Sequence, residues 1–215
     1  MGTPFALQTG LKQGSVLSPM LFNIFLGAII NATRMEYNRT MADNSQLGTA
    51  MGVEIEYSPT GGVEILKPTG HFITKQRIFE ILYADDCVLL ATSAEALQRM
   101  LDIFDGITAL FGQQVSIKKS KVMVVDRHRH AVFQVEQEGR TVEAVRDPPR
   151  ILVRGEALEV VVSFVYLGSL EHSEGRLDQE IAMRIQAMHA AFARLEAGVY
   201  RNRQIQLKAR GHGCI

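Results

Sequence analysis

Apolar residues along the chain recur with two different periods, and turn or cap residues stand between the segments. The opening is punctuated by Gly10 and Gly14 and leads into Ser18-Pro19, with Ser18 suited to a helix N-cap and Pro19 to the first helical position. From Met20 to about Tyr37 the positions are apolar on nearly every side, which predicts a helix buried among several elements. Val53, Ile55 and Tyr57 then alternate, Ser58-Pro59-Thr60-Gly61-Gly62 turns, and Val63 and Ile65 alternate again, the pattern of a hairpin. Residues 78–92, IFEILYADDCVLLAT, are two apolar, β-rich runs around Ala84-Asp85-Asp86: a strand, a tight turn and a second strand.

Ser93 caps the clearest helix of the chain, whose apolar stripe is Leu97, Met100, Leu101, Phe104, Ile107, Leu110 and Phe111, ending at Gly112. Val115 to Val125 reads as a strand with basic interruptions. Asp126 to Arg150 is polar and charged, closes on Pro148-Pro149, and reads as a loop or subdomain junction. Short strands follow at 151–154 and 158–166, then breaks at Gly168 and Gly175. A second amphipathic helix is predicted over roughly 177–197, with Ile181, Ile185, Met188, Phe192 and Leu195 on one face. Strands and helices mix without regular βαβ spacing, so the fold class is α+β rather than a doubly wound sheet.

Composition bounds this picture without redirecting it. At 215 residues, 47% apolar and 21% charged, the chain has the make-up of a globular protein and not of a disordered or fibrous one. Two cysteines, Cys87 and Cys214, are too few for a disulfide framework and suit a reducing compartment. The longest apolar stretch, Val16 to Ile30, is shorter than a bilayer crossing and has no basic leader before it. The chain therefore reads as soluble and intracellular, nuclear or cytoplasmic, with no membrane partner.

Charge does change the picture. Twenty-three basic and 23 acidic residues cancel, which by itself removes any whole-chain case for a nucleic-acid binder. The charges are sorted, however. Glu80 to Asp105 holds six acids and one base, whereas Lys118 to His130 holds five bases and one acid, and Ile181 to the end six bases and one acid. An acidic centre beside basic segments is an arrangement for a divalent cation and a phosphate backbone.

Asp85 and Asp86 are the sharpest feature within that centre. Two adjacent carboxylates on a rigid hairpin tip present hard oxygens at a fixed point, which suits Mg²⁺ with substrate phosphates completing its shell. The same dipeptide is also an ordinary solvated turn, because turns favour Asp. Tyr83-Ala84-Asp85-Asp86 matches the signature box of reverse transcriptases, and other segments match in the same order. GLKQGSVLSPMLFNIFL (Gly10 to Leu26) resembles the Gln-Gly motif before the palm helix of non-LTR retrotransposon polymerases. VSIKKSKVMVV (Val115 to Val125) resembles their lysine-bearing strand, FVYLGS (Phe164 to Ser169) their primer-grip turn, and Gly175 to Leu195 the helix that follows in LINE-type elements. The match covers about residues 8–200. Group II intron maturases are a related alternative, but the helix after Gly175 and its spacing from the YLGS turn look more LINE-like.

That resemblance implies an RNA-directed DNA polymerase using two Mg²⁺ ions, an RNA template, a DNA primer and deoxynucleoside triphosphates. It implies a partial palm over 1–168 and the start of a helical thumb over 169–215. Asp85 and Asp86 would be catalytic metal ligands, and Lys119 would resemble a general acid for the departing pyrophosphate, a role that Lys118 or Lys121 could take instead. Gln13 and Gly14 would contact nucleotide and template, Tyr83 the primer terminus, and Ala84 would leave room for the strand end. Tyr166, Leu167 and Gly168 would hold the primer backbone. Ser116 and Ser120 depart from the pattern, standing where many relatives carry Asn and Thr.

The resemblance further implies a third, metal-bridging Asp on a strand upstream of the Gln-Gly motif. Only twelve residues precede Gln13 and the first acid is Glu36, so the chain reads as an N-terminally truncated piece with little polymerase activity alone. The other reading is a non-catalytic nucleic-acid-binding remnant. Cys87 reads as a small buried hydrophobe, and His128 and His130 as part of a basic loop rather than a metal site.

Overall fold

The first long helix, α1, runs over Ser18–Asp43, and its apolar positions are unevenly covered. Ile29, Ile30, Thr33, Tyr37 and Thr40 are buried on its C-terminal half, whereas Val16, Leu17, Met20, Leu21 and Ile24 are exposed at the other end. The predicted all-round burial thus holds for one half only among the described residues. Ser18 is not the cap either: Leu17 occupies that position in a helical conformation, and Ser18-Pro19 lie inside the first turn. A computed structural model describes residues 16–57, 74–125, 132–137 and 140–196. The proposed nucleotide contact Gln13-Gly14, the strand arm Val63 to Ile65, and His128 and His130 lie outside the described residues.

Asn44 ends α1 and starts α2 (Ser45–Ala50), its Oδ1 accepting the Leu47 N–H at 3.0 Å. This short helix was not predicted. β1 (Val53–Tyr57) pairs antiparallel with β2 (Thr74–Ile78), in the register Val53 with Ile78 through Tyr57 with Thr74. The strand partner is therefore 74–78, a polar run in which Arg77 turns back to donate to the Gly48 carbonyl at 2.8 Å. β3 (Glu80–Tyr83) and β4 (Asp86–Leu89) form the predicted hairpin.

Ser93 does cap α3 (Ala94–Leu110): its Oγ accepts the Ala96 N–H at 3.2 Å. The helix closes on Gly112, with Gly112 N–H bonded to the Ala109 carbonyl and Gln113 N–H to the Thr108 carbonyl, the paired bonds of a Schellman motif. Its buried face is centred on Ala96, Met100, Leu101, Ile103 and Thr108, and Leu110 from the predicted stripe is exposed. Tyr37, Met51, Ala96, Met100 and Ile103 make one core cluster, with Phe79, Leu89 and Ala91 packed against it.

The predicted strand 115–125 is largely a turn. The Ser116 carbonyl accepts from the N–H groups of Lys119 and Ser120, and only β5 (Lys121–Met123) is extended. The predicted loop 126–150 contains a hairpin, β6 (Val132–Gln137) with β7 (Arg140–Val145). β8 (Leu152–Val153) and β9 (Glu156–Ala157) form a tight pair, β10 (Glu159–Val161) lies parallel to β5, and β11 (Ser163–Tyr166) pairs with β12 (Ser169–His172). The last described helix, α4, spans Asp178–Leu195, as predicted, but none of its residues is buried. Every sheet is two-stranded among the described residues, and the mixture is α+β.

The chain divides into two compact units, one from residues 1–120 and 149–158 and the other from 121–148 and 159–215. In the first, the Gln98 side chain does the work of a strand edge: its amide donates to the Leu152 carbonyl at 2.8 Å and accepts from the Leu152 N–H at 2.7 Å.

Candidate active site

The β3–β4 register explains how the aspartates are presented. Tyr83 pairs with Asp86, leaving Ala84-Asp85 as a two-residue turn. Cross-strand partners share a face, so Ile81, Tyr83, Asp86 and Val88 point one way and Glu80, Leu82, Cys87 and Leu89 the other. The second set faces the core. The first is open: Tyr83 is 62% exposed, and Ala84, Asp85 and Asp86 are all exposed. Neither carboxylate has a hydrogen-bond or ion-pair partner among the described residues.

Ala84 adopts φ 51° at the first turn position, the sign that hairpin turns matching strand twist require. A side chain there costs about 1–2 kcal/mol, which glycine would relieve. Glycine also has more unfolded freedom to lose, a cost of about 0.4–1 kcal/mol. Ala84→Gly is therefore expected to stabilise the first unit slightly, by about 0.5 kcal/mol, read from its urea midpoint.

Cys87 lies on the core side of the hairpin. Burial, reinforced by the Glu80 carboxylate, pushes its thiol up from 9.0 to about 12. The Tyr37 hydroxyl is raised too, by burial first and then by Glu80 and Cys87. An unfolded thiol loses its proton near pH 9 while the folded one keeps it, so the unfolded state gains as pH rises. Urea midpoints are thus expected to fall between about pH 9 and 12, with a shallower fall in Cys87→Ala.

Two supporting pairs, Arg34 with Glu80 and Glu180 with Arg184, escaped the sequence reading. On the core face, Arg34 of α1 donates from Nε to Glu80 Oε1 at 2.6 Å. A lone acid inside the apolar run IFEILY was the available signal. In the second unit, Leu167 and Gly168 take φ 49° and 80°, so a turn with two positive φ values joins β11 to β12. Glycine suits the second of these positions, and Leu167 is strained at the first. Glu180 of α4 accepts the Leu170 N–H at 2.7 Å, and Arg184 donates both to Glu180 and to the Gly168 carbonyl. The Leu170 N–H and then Arg184 hold the Glu180 carboxyl below its usual range. Their spacing of four residues on one helix was readable as an ion pair but not as a brace for that turn.

The structure gathers Tyr83, Ala84, Asp85 and Asp86 on one tip. Lys119 is exposed on its own turn in the same unit, and Tyr166, Leu167 and Gly168 belong to the other unit. Of the alternative lysines, Lys121 is committed to an ion pair with Glu159, whereas Lys118 and Lys119 have no ion pair among the described residues. Glu143, His172 and Arg176 form a further network in the second unit. His172 Nε2 is 3.1 Å from Glu143 Oε2, and Arg176 bonds the other carboxylate oxygen and holds the Glu143 carboxyl low.

The family profile described as reverse transcriptase (RNA-dependent DNA polymerase) matches residues 2–169. The chain belongs to the reverse transcriptase family. The matched span takes in the YADD turn and ends one residue past Gly168, and the family's activity is copying an RNA template into DNA from deoxynucleoside triphosphates. No solved structure shows a significant match to the chain.

Reverse transcriptases generally use divalent metal ions, and the donor set here fits one. Asp85 and Asp86 offer adjacent, exposed, uncommitted hard oxygens, and Mg²⁺ is commonly held by one or two carboxylates plus substrate phosphates. Among the described residues no group of three or more His, Cys, Asp or Glu side chains is arranged to hold a metal by itself. No described helix is long and apolar enough to cross a membrane.

Proposed function

We propose that this chain is part of the RNA-directed DNA polymerase of a LINE-like, non-LTR retroelement, with residues 1–168 supplying palm and 169–215 beginning the thumb. The observation that carries the reading is the exposed tip on which Tyr83, Asp85 and Asp86 stand together, both carboxylates without a partner among the described residues. Asp85 and Asp86 would hold Mg²⁺, which supplies charge neutralisation at the triphosphate when bound. Tyr83, beside Asp86 on the open face, contacts the primer terminus, and the small side chain of Ala84 leaves that end clear. Gln13 and Gly14 contact nucleotide and template. Lys119, exposed and without an ion pair among the described residues, delivers a proton to the departing pyrophosphate. Tyr166, Leu167 and Gly168 grip the primer, the turn being held by Glu180 and Arg184.

Two carboxylates alone make a weak site until phosphates complete it, so the isolated chain extends primers poorly. The test is retention of a deoxynucleoside triphosphate on an RNA–DNA primer–template by the purified chain, with and without Mg²⁺. Mg²⁺-dependent retention lost in Asp85→Asn/Asp86→Asn is the expected result. Equal retention in both proteins overturns the metal assignment, and salt-sensitive nucleic-acid binding alone would identify a non-catalytic binding remnant. Efficient primer extension by the chain, abolished by Asp85→Ala, would overturn the low-activity reading.

A further inference from the structure

Glu80 is an unusual residue for its position. Its side chain is 2% exposed on the core face of the hairpin, Oε1 is bonded to Arg34, and Oε2 is buried with no hydrogen-bond partner among the described residues. A carboxylate half satisfied in this way is a poor source of stability, because desolvation offsets most of what the ion pair returns. Leu82, Cys87 and Leu89 share that face and make non-directional contacts that tolerate sliding and tilting. The ion pair is directional.

Beyond the continuity of β3 with β2 through Phe79, the described residues tie the hairpin to its surroundings on both of its strands. On the β4 side, backbone bonds run from Gly52 N–H to the Leu90 carbonyl at 3.0 Å and from Thr92 N–H to the Ala50 carbonyl at 2.9 Å. On the β3 side, the polar tie to α1 is Arg34 to Glu80, next to the Tyr37–Phe79 ring contact at 5.7 Å. A one-residue slip of β3 would turn Glu80 outward, away from Arg34, and exchange the faces of the hairpin. We infer that the Arg34–Glu80 ion pair is a positioning device for the Asp85–Asp86 turn, fixing the face and tilt of the hairpin and so the place where the two carboxylates meet a metal ion. The inference rests on the metal role proposed for those aspartates.

Groups hydrogen-bonded directly to metal ligands alter metal affinity by about 10–100-fold when removed. The Arg34–Glu80 pair acts through the hairpin rather than by contact with the aspartates, so the lower end of that range, about tenfold, is its expected ceiling. The probe is Tb³⁺, whose emission is sensitised by a nearby aromatic ring; the chain has no tryptophan, and Tyr83 stands beside Asp86. Wild-type emission is expected to vanish in Asp85→Asn/Asp86→Asn and to drop in Tyr83→Phe. In Arg34→Met/Glu80→Leu the pair is replaced by apolar groups, a change that often leaves stability intact. Its melting temperature is expected to stay near wild type while Tb³⁺ affinity falls about tenfold and the count of metal-bound waters rises. Arg34→Lys changes only a partly exposed side chain and keeps the positive charge. A smaller loss of affinity, about threefold, is expected from it, which covers the case of a double variant that does not fold. Wild-type Tb³⁺ affinity in both folded variants overturns the inference and leaves the metal assignment standing. No emission from wild type, or emission indifferent to Asp85 and Asp86, overturns both.

Discussion

Replacing Tyr37 by alanine is expected to destabilise the first unit by about 3–5 kcal/mol, the cost typical of removing a large buried aromatic ring. Tyr37 is 0% exposed and central to the core of Met51, Ala96, Met100 and Ile103, with Phe79 tilted against it. Its ring therefore holds three things at once: α1, α3 and the segment leading into β3. The hydroxyl contributes far less. It donates to the Met100 carbonyl at 3.1 Å, so Tyr37→Phe is expected to cost only about 1 kcal/mol. Urea denaturation of the two variants, followed by circular dichroism, separates these terms. Similar losses in both would mean that the hydrogen bond and not the packing dominates.

The second large effect is expected at Gly52, where alanine meets two obstacles. The backbone sits at φ 77°, which costs an L-residue about 1–2 kcal/mol. An added Cβ would also stand 2.9 Å from the Ile78 carbonyl oxygen and 3.0 Å from the Phe79 ring. Overpacking of that kind costs about 1–3 kcal/mol, so Gly52→Ala is expected to lose about 2–5 kcal/mol in the same denaturation experiment. The displaced groups are the ones beside β3, and the Gly52 N–H itself bonds Leu90 just past β4. On the proposed metal role of Asp85 and Asp86, Tb³⁺ affinity is expected to weaken along with stability. A variant as stable as wild type would show that β2 can move aside freely.

What could be read from the chain, and what could not, divides by the range of the interactions involved. The β3–β4 hairpin and α3 announce themselves because their signals are local: apolar runs around a two-residue turn, a serine cap and a glycine stop. The β2 strand, Thr-Lys-Gln-Arg-Ile, carries no apolar alternation and is held by pairing with β1, more than twenty residues earlier at its start. The β6–β7 hairpin was hidden for the same reason. Its valines, Val132 and Val135 in one strand and Val142 and Val145 in the other, stand three apart rather than two, and Glu143 is held by His172 and Arg176 from a distant part of the chain. The 115–125 segment failed in the opposite direction. Its valines suggested a strand, but the Ser116 carbonyl gathers two N–H groups into a turn that carries Lys119. At the candidate site, the hairpin tip that carries the aspartates was legible from its apolar flanks, whereas the tie between Arg34 and Glu80, 46 residues apart, was not.

The path of the chain between its two units limits how it can be dissected. It crosses after Ser120, returns at Pro149 and leaves again after Leu158. Ile151, Val153 and Leu158 on that brief return are all buried. A fragment ending at Ser120 loses those three side chains and leaves Gln98 without Leu152; a fragment starting at Lys121 carries them with no core of their own unit to enter. A single cut thus frees neither piece intact. A nick in the stretch between β5 and β8 should leave both fragments associated, because the return passage stays clasped to the first unit while its chain continues into the second.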